Sequence, residues 1–147
     1  MAAMMDLARV CAEQDTALGL KINTGAAVRA ALETAQEAQM EVGRLKAELT
    51  QRRQELSAAD KGAKRTLSHC RLRLVKFYGP SFNSQWDAAG FPDRSTQVPE
   101  SQAKRAALLS QLRLWLESNP TLESADMQAT AADCEAAHQA YREARKA

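Results

Sequence analysis

The stretch VRAALETAQEAQMEVGRLKAELTQRRQELSAADKGAKRTLSHCRLRLVKF, residues 28–77, decides the fold of this chain. An apolar residue stands at every seventh position of it: Val28, Ala35, Val42, Leu49, Leu56, Ala63, Cys70 and Phe77. A companion row, interrupted by Arg52 and Arg53, holds Leu32, Ala38, Leu45, Ala59, Leu67 and Leu74. A repeat of seven keeps one seam of a helix facing a partner. The stretch therefore predicts one long coiled-coil helix over about 25–77.

Two features near the middle of this stretch favour a break. Gly62 and the segment 57–60 could interrupt the helix, and two helices hinged near 58–62 are the alternative. The seven-residue repeat passes through both without losing its phase. We therefore expect one continuous helix, roughly 78 Å long at ~1.5 Å per residue.

The rest of the chain divides at its prolines and glycines. We expect one all-helical domain over 1–147, an all-α fold that becomes a helical bundle on oligomerisation. Further helices are predicted at about 3–18, 84–89, 102–117 and 122–146, the last a shorter returning helix. Asn23 or Thr24 can cap the long helix, and Ser101 can cap the helix at 102–117.

The segment 79–100 is predicted to be a structured loop that forms a small helical head. It carries three of the prolines and much of the aromatic mass. Asn83 or Ser84 can cap a short helix that Gly90 closes in a left-handed conformation. The predicted core of the head consists of Phe77, Phe82, Trp86, Phe91, Leu112 and Trp115.

A resemblance attaches to this head. The run Trp86-Asp87-Ala88-Ala89-Gly90-Phe91-Pro92 is followed by Val98-Pro99, Arg105, Leu108-Leu109, Leu112, Trp115-Leu116 and Asn119-Pro120. This pattern, over about 79–120, resembles a loosely defined group of uncharacterised bacterial alanine-rich helical-hairpin proteins. The resemblance implies long alanine-rich helices on both sides of the head, and it implies no activity.

The long helix has more apolar length than the rest of the chain can cover. The returning helix reaches only about 38 Å at ~1.5 Å per residue, less than half of the long helix. We therefore expect a homo-oligomer, with a dimer favoured, and a non-enzymatic scaffold or protein-interaction function. The predicted oligomer seam consists of Val28, Ala35, Val42, Leu45, Leu49, Leu56, Ala63 and Leu67.

The charge pattern indicates an alternative to the scaffold function, namely association with nucleic acid. The formal net charge is only +2, but the basic excess lies mostly between Lys61 and Lys76. One face of a rigid helix there offers Lys61, Lys64, Arg65 and Arg71 as candidate phosphate contacts of a nucleic-acid-associated protein. No aromatic side chains interleave with these cations, which argues against binding of single strands.

Candidate chemical sites are all incomplete. Cys134 and His138 share a helix face but supply only half of a tetrahedral metal site. Glu33, Glu37 and Glu41 lack the histidine motifs of di-metal bundles, so they are interpreted as a solvated flank. No phosphate loop, dinucleotide fingerprint or nucleophile motif is present, so we expect no enzyme activity and no cofactor.

The cysteines and the N-terminal sequence indicate where in the cell the protein is expected. The three cysteines are odd in number and widely spaced, which is untypical of a secreted disulfide framework. The chain has neither the apolar core of an export signal nor an apolar run long enough to span a membrane. The expectation is a cytoplasmic protein that does not enter a membrane.

Overall fold

The computed structural model of this protein describes residues 24–146, together with Val10, Gln14 and Gly19. These residues form four α-helices: α1 Gly25–Tyr78, α2 Ser84–Ala88, α3 Gln102–Ser118 and α4 Ala131–Lys146. A single 3-10 turn, Pro120–Leu122, follows α3, and the described part of the chain contains no β-strand. The predicted all-α fold is confirmed. The helix predicted at 3–18 and the alternative cap Asn23 lie outside the described residues, apart from Val10 and Gln14, which are helical.

Helix α1 runs without a break through 58–62. The Oγ1 atom of Thr24 accepts a hydrogen bond from the backbone N–H of Ala27 and so caps the first turn. The helix contains no proline, and Gly62 alone does not outweigh the helical propensity and packing of its neighbours. Gly79, with a φ of +79°, ends the helix in a left-handed conformation.

The chain divides into two compact units, Met1–Thr50 and Gln51–Ala147, where the sequence predicts one domain. Described residues of the first unit belong almost entirely to the first half of α1, and most of their side chains are exposed. The second unit contains the rest of α1 and helices α2, α3 and α4. Among the residues that the structure describes, every member of the buried apolar core belongs to this second unit.

The core of the second unit joins three helices. On these helices its buried residues are Ala63, Leu67, Cys70 and Leu74 from α1, Leu108, Leu109, Leu112 and Leu116 from α3, and Cys134 and Tyr141 from α4. On α1 these residues recur at spacings of three and four, on α3 Leu112 and Leu116 follow the adjacent Leu108 and Leu109 at such spacings, and on α4 the two residues are seven apart; each set therefore lies on one face of its helix. Burial of one such leucine side chain stabilises the fold by roughly 1.5–3 kcal/mol.

The head packs around Trp86 of helix α2. Asn83 caps α2, because its Oδ1 atom accepts hydrogen bonds from the backbone N–H groups of Gln85 and Trp86. The ring of Trp86 meets Phe91 edge to face at 4.8 Å between centroids, and its Nε1 donates to the carbonyl of Gly79 at 3.1 Å. Gly90 has a φ of +92°, the left-handed conformation that the sequence predicts.

Phe77 is not part of the head core, so that prediction is wrong. Its side chain is 48% exposed, and the guanidinium of Arg73 lies 4.7 Å from its ring centroid. A strict repeat of seven drifts by about 20° per heptad around a straight helix, so its last member turns away from the core. The buried row of α1 continues from Leu74 to the half-buried Tyr78 instead, whose hydroxyl accepts a hydrogen bond from Trp115 Nε1. Of the other predicted head residues, Trp86, Phe91 and Leu112 are buried, and Phe82 and Trp115 pack against the core.

The last helix begins nine residues later than predicted, at Ala131 and not at 122. Ser124 and Ala129 exchange two backbone hydrogen bonds, and Gln128 between them has a φ of +51°. Thr130 and Asp133 then cap α4 reciprocally: Oγ1 of Thr130 accepts from the N–H of Asp133, and Oδ2 of Asp133 accepts from the N–H of Thr130. The sequence shows this capping box as Thr-x-x-Asp. The apolar periodicity that begins at Met127 nevertheless led to the prediction of an earlier helix start.

Candidate interaction surface

The described part of the first unit carries a row of exposed apolar side chains on α1. Val28, Val42, Leu45 and Leu49 are between 41% and 51% exposed. Ala35, another predicted seam position, is exposed as well. We call these five residues the exposed seam. They recur at intervals of seven, three and four, so they lie along one face of the helix.

Charged side chains line the same part of α1. The guanidinium of Arg44 lies 2.7 Å from a carboxylate oxygen of Glu41 and 3.2 Å from one of Glu48, and all three side chains are exposed. Lys46 makes no ion pair within the residues that the structure describes. Met40 is 69% exposed and lies on the opposite side of the helix from Leu45 and Leu49.

The second part of the predicted seam has a different environment. Ala63 and Leu67 have no solvent exposure, because α3 and α4 of the same chain cover them. Leu56 is half-buried and packs against the same core. These three residues were predicted to lie at an oligomer interface, and for Ala63 and Leu67 that prediction is wrong.

A buried ion pair, which sequence reasoning missed, joins α1 to α3. Arg105 is 2% exposed, and its Nε and Nη2 atoms donate to Oδ1 of Asp60 at 2.9 Å and 2.5 Å. Its Nη1 donates to the carbonyls of Pro99 and Glu100. Burial raises the pKa of Asp60, but hydrogen bonds from Arg105 and Lys64 outweigh it and hold that pKa below its ordinary value. In the sequence both residues resemble ordinary surface charges, and only the tertiary contact distinguishes them.

Several cations of the basic stretch between Lys61 and Lys76 already contact other groups of the same chain. Nε of Arg71 donates to the carbonyl of Thr96 at 2.8 Å, and Nζ of Lys64 lies 3.3 Å from Oδ2 of Asp60. Arg73 donates to the carbonyls of three successive residues, Thr121, Leu122 and Glu123. Lys61 and Arg65, the other candidate phosphate contacts, are exposed and have no ion pair within the described residues. The four candidates therefore do not form one uniformly free cationic face.

The buried cysteines are positioned for packing. The Sγ atoms of Cys70 on α1 and Cys134 on α4 lie 3.6 Å apart, and both thiols are buried. The hydrogen bond to Cys70, together with burial and the nearby carboxylates, raises the pKa of the Cys134 thiol far above its ordinary value. A thiol in that state is a poor nucleophile and a poor metal ligand at neutral pH.

One groove of the second unit is lined by cations that already have partners. It has a volume of about 440 Å³ and is lined by Lys64, Ser68, Val98, Pro99, Glu100 and Arg105. Its two cations are already paired with Asp60. Over residues 24–146, no three His, Cys, Asp or Glu side chains come together in a way that could hold a metal ion.

Comparison with protein-family models, with curated proteins and with solved structures finds no match to this chain. The resemblance of the head to bacterial helical-hairpin proteins thus stays an expectation. Among the described helices, none is long and apolar enough to cross a membrane.

Proposed function

We propose that this protein is a non-enzymatic scaffold that self-associates through the exposed seam of α1. The observation that carries the proposal is the exposure of Val28, Val42, Leu45 and Leu49 on one helical face. Single exposed leucines are common on protein surfaces. A row of them at coiled-coil spacing is typical of helices that pair, because the row is buried only when a second helix lies along it.

The free-energy gain from pairing is modest. Each of the four large side chains is already about half covered, so full burial contributes roughly 1 kcal/mol for each of them in each chain. The total of about 8 kcal/mol for two chains is comparable with the free energy of a micromolar complex, before the cost of association. We therefore expect a reversible dimer that populates at tens to hundreds of micromolar.

Sedimentation equilibrium of the full chain over about 1–300 µM tests the proposal. The wild type is expected to shift from monomer to dimer across this range. Leu49→Asp should abolish the shift, because a dimer would bury its carboxylate. The matched control is Met40→Asp, which introduces the same charge at an exposed apolar residue outside the seam and should leave association unchanged. A wild type that stays monomeric throughout, or an equal effect of the two substitutions, would contradict the proposal.

A further inference from the structure

We infer that the second copy lies parallel to the first and in register along the exposed seam; this inference rests on the proposed self-association. In heptad notation, Val28, Ala35, Val42 and Leu49 occupy position a and Leu45 occupies position d. Positions g and e flank this seam on its two sides. Their charges determine which orientation two identical helices prefer.

The two flanks carry opposite charges. Glu41 and Glu48 occupy position g on one side. Lys46 occupies position e on the other side, and Arg53 occupies the next e position along the same helix. No cation lies at g between residues 34 and 48, and no anion lies at e between residues 32 and 53. An acidic flank and a basic flank therefore border the seam.

Parallel pairing brings these opposite charges together. In a parallel two-stranded coiled coil, position g of one helix faces position e of the next heptad on the other helix. Glu41 then lies opposite Lys46 of the second copy, and Glu48 lies opposite Arg53 of the second copy. When the two helices are in register, Glu41 and Glu48 of each copy both lie opposite cations of the other copy. Antiparallel pairing instead sets g against g and e against e, so that carboxylates face carboxylates and cations face cations.

The ion pairs within one chain do not compete with this pairing between chains. Lys46 and Arg53 have no ion pair in the described part of the chain, so they give up no intrachain partner on pairing. Glu41 and Glu48 both contact Arg44, which lies at the outer position c, and a carboxylate can accept from two cations at once. Arg52, at position d, ends the apolar seam, and its guanidinium lies 3.1 Å from Glu55 of the same helix. The apolar part of the inferred contact therefore covers residues 28–49, and the pairs of Glu48 with Arg53 lie at its end.

Disulfide cross-linking of the full chain tests the orientation directly. Ala31→Cys and Ala38→Cys each place a thiol at position d without removing a large seam residue, in a Cys11→Ser background that serves as the control. Both variants should cross-link to themselves in a glutathione redox buffer, because parallel in-register helices bring identical positions together. A mixture of the two should give no 31-to-38 cross-link, since the two sites are about 10 Å apart along the axis and a disulfide needs Cα atoms within about 7 Å.

Charge reversal provides a second, independent measurement. Lys46→Glu/Arg53→Glu should weaken dimerisation about tenfold, because four exposed attractive pairs become repulsive. Adding Glu41→Lys/Glu48→Lys to the same chain should restore it. Arg29→Glu/Lys61→Glu makes the same change in net charge at outer positions and should have no comparable effect. In an antiparallel dimer, Lys46→Glu/Arg53→Glu only exchanges one like-charge contact for another.

The possible results separate the two proposals. A dimer by sedimentation in which neither or only one of the cysteine variants cross-links to itself would overturn the parallel, in-register arrangement and leave the proposed self-association standing. Loss of association on reversing Arg29 and Lys61 as large as that on reversing Lys46 and Arg53 would do the same. A chain that stays monomeric would overturn the proposed function itself.

Discussion

Two stretches of helix α1 share one sequence pattern and have different environments. At residues 28–49 the large members of the seven-residue series are about half exposed, whereas Ala63, Leu67 and Cys70 are fully buried. The second stretch is covered by α3 and α4 of the same chain. The same apolar heptad row therefore does not determine by itself whether other helices of the chain cover that face.

The companion charges differ between the two stretches as well. Around the exposed seam they form pairs within one helix surface, such as Arg44 with Glu41 and Glu48. Around the buried stretch they reach other parts of the chain, as Asp60 does to Arg105 and Arg73 does to the 3-10 turn. Exposed pairs of the first kind contribute little to stability, about 0–1 kcal/mol each. Buried contacts of the second kind fix one arrangement of the helices.

The largest expected difference between the two stretches comes from the same substitution made in each. Leu67→Asp should prevent the second unit from folding, because an isolated carboxylate in an apolar core costs more than about 5 kcal/mol. Leu49→Asp should leave the second unit folded. Both tryptophans, Trp86 and Trp115, belong to the second unit, so tryptophan fluorescence during urea unfolding reports on that unit. Equal midpoints for the two variants would contradict the distinction.

Asp60→Asn should destabilise the second unit by about 3–5 kcal/mol. The substitution keeps the side-chain shape but leaves Arg105 buried with an uncompensated charge. Glu48→Gln is the matched control in the exposed stretch, where loss of a solvated pair with Arg44 should cost less than about 1 kcal/mol. Urea denaturation followed by tryptophan fluorescence measures both. A similar cost for the two substitutions would show that the buried pair is not an important contact.

Acid should weaken the second unit through the same carboxylate. The pKa of Asp60 is lowered in the folded chain. Its stabilisation is therefore fully present above the ordinary carboxyl pKa of about 3.9 and is lost as the pH falls through the lower, folded value. Below about pH 4, stability should fall more steeply for the wild type than for Asp60→Asn. Parallel pH profiles for the two proteins would argue against this assignment.

The smallest effect is expected at Tyr141, in the core beside that ion pair. Its hydroxyl is buried and has no hydrogen-bond partner among the described residues. Tyr141→Phe keeps the ring and removes an unsatisfied polar group, so stability should stay the same or rise by up to about 1 kcal/mol. The same unfolding assay measures it, with Tyr78→Phe as the contrasting substitution, since the Tyr78 hydroxyl accepts from Trp115. A loss above 1 kcal/mol for Tyr141→Phe would mean that the hydroxyl has a partner.

Much of the fold was predictable because it depends on local physics. Capping side chains and the left-handed Gly90 act within a few residues of themselves, so the sequence narrowed the caps to Asn23 or Thr24 and to Asn83 or Ser84, and the structure shows Thr24 and Asn83 in these roles. Ser101 stands at the predicted N-cap position of α3, but its side chain makes no capping hydrogen bond. The two errors in helices have local causes too. Phe77 lies outside the core because the side chains of a strict repeat of seven drift around a straight helix. Helix α4 begins later than predicted because the apolar periodicity of its sequence extends back into the preceding turn.

The candidate interaction surface was only half predictable. The apolar positions of the predicted seam were identified from their spacing. Ala63 and Leu67, however, were predicted to contact a second chain, whereas they are buried in the core of their own chain. The pairing of Asp60 with Arg105 was not predictable, because the two residues are 45 positions apart and neither has a distinctive neighbourhood in the sequence. Neither polar residue reveals from local sequence alone that it will be buried.

By itself, the sequence determined that this chain is helical, where its long helix begins and ends, and which face of that helix is apolar. Only the tertiary structure decided that the apolar face is covered at residues 63–74 and exposed at 28–49. The physical reason is that helix formation and amphipathic spacing depend on residues three, four and seven apart. Which surface covers an apolar face depends on residues that the chain brings together from far apart.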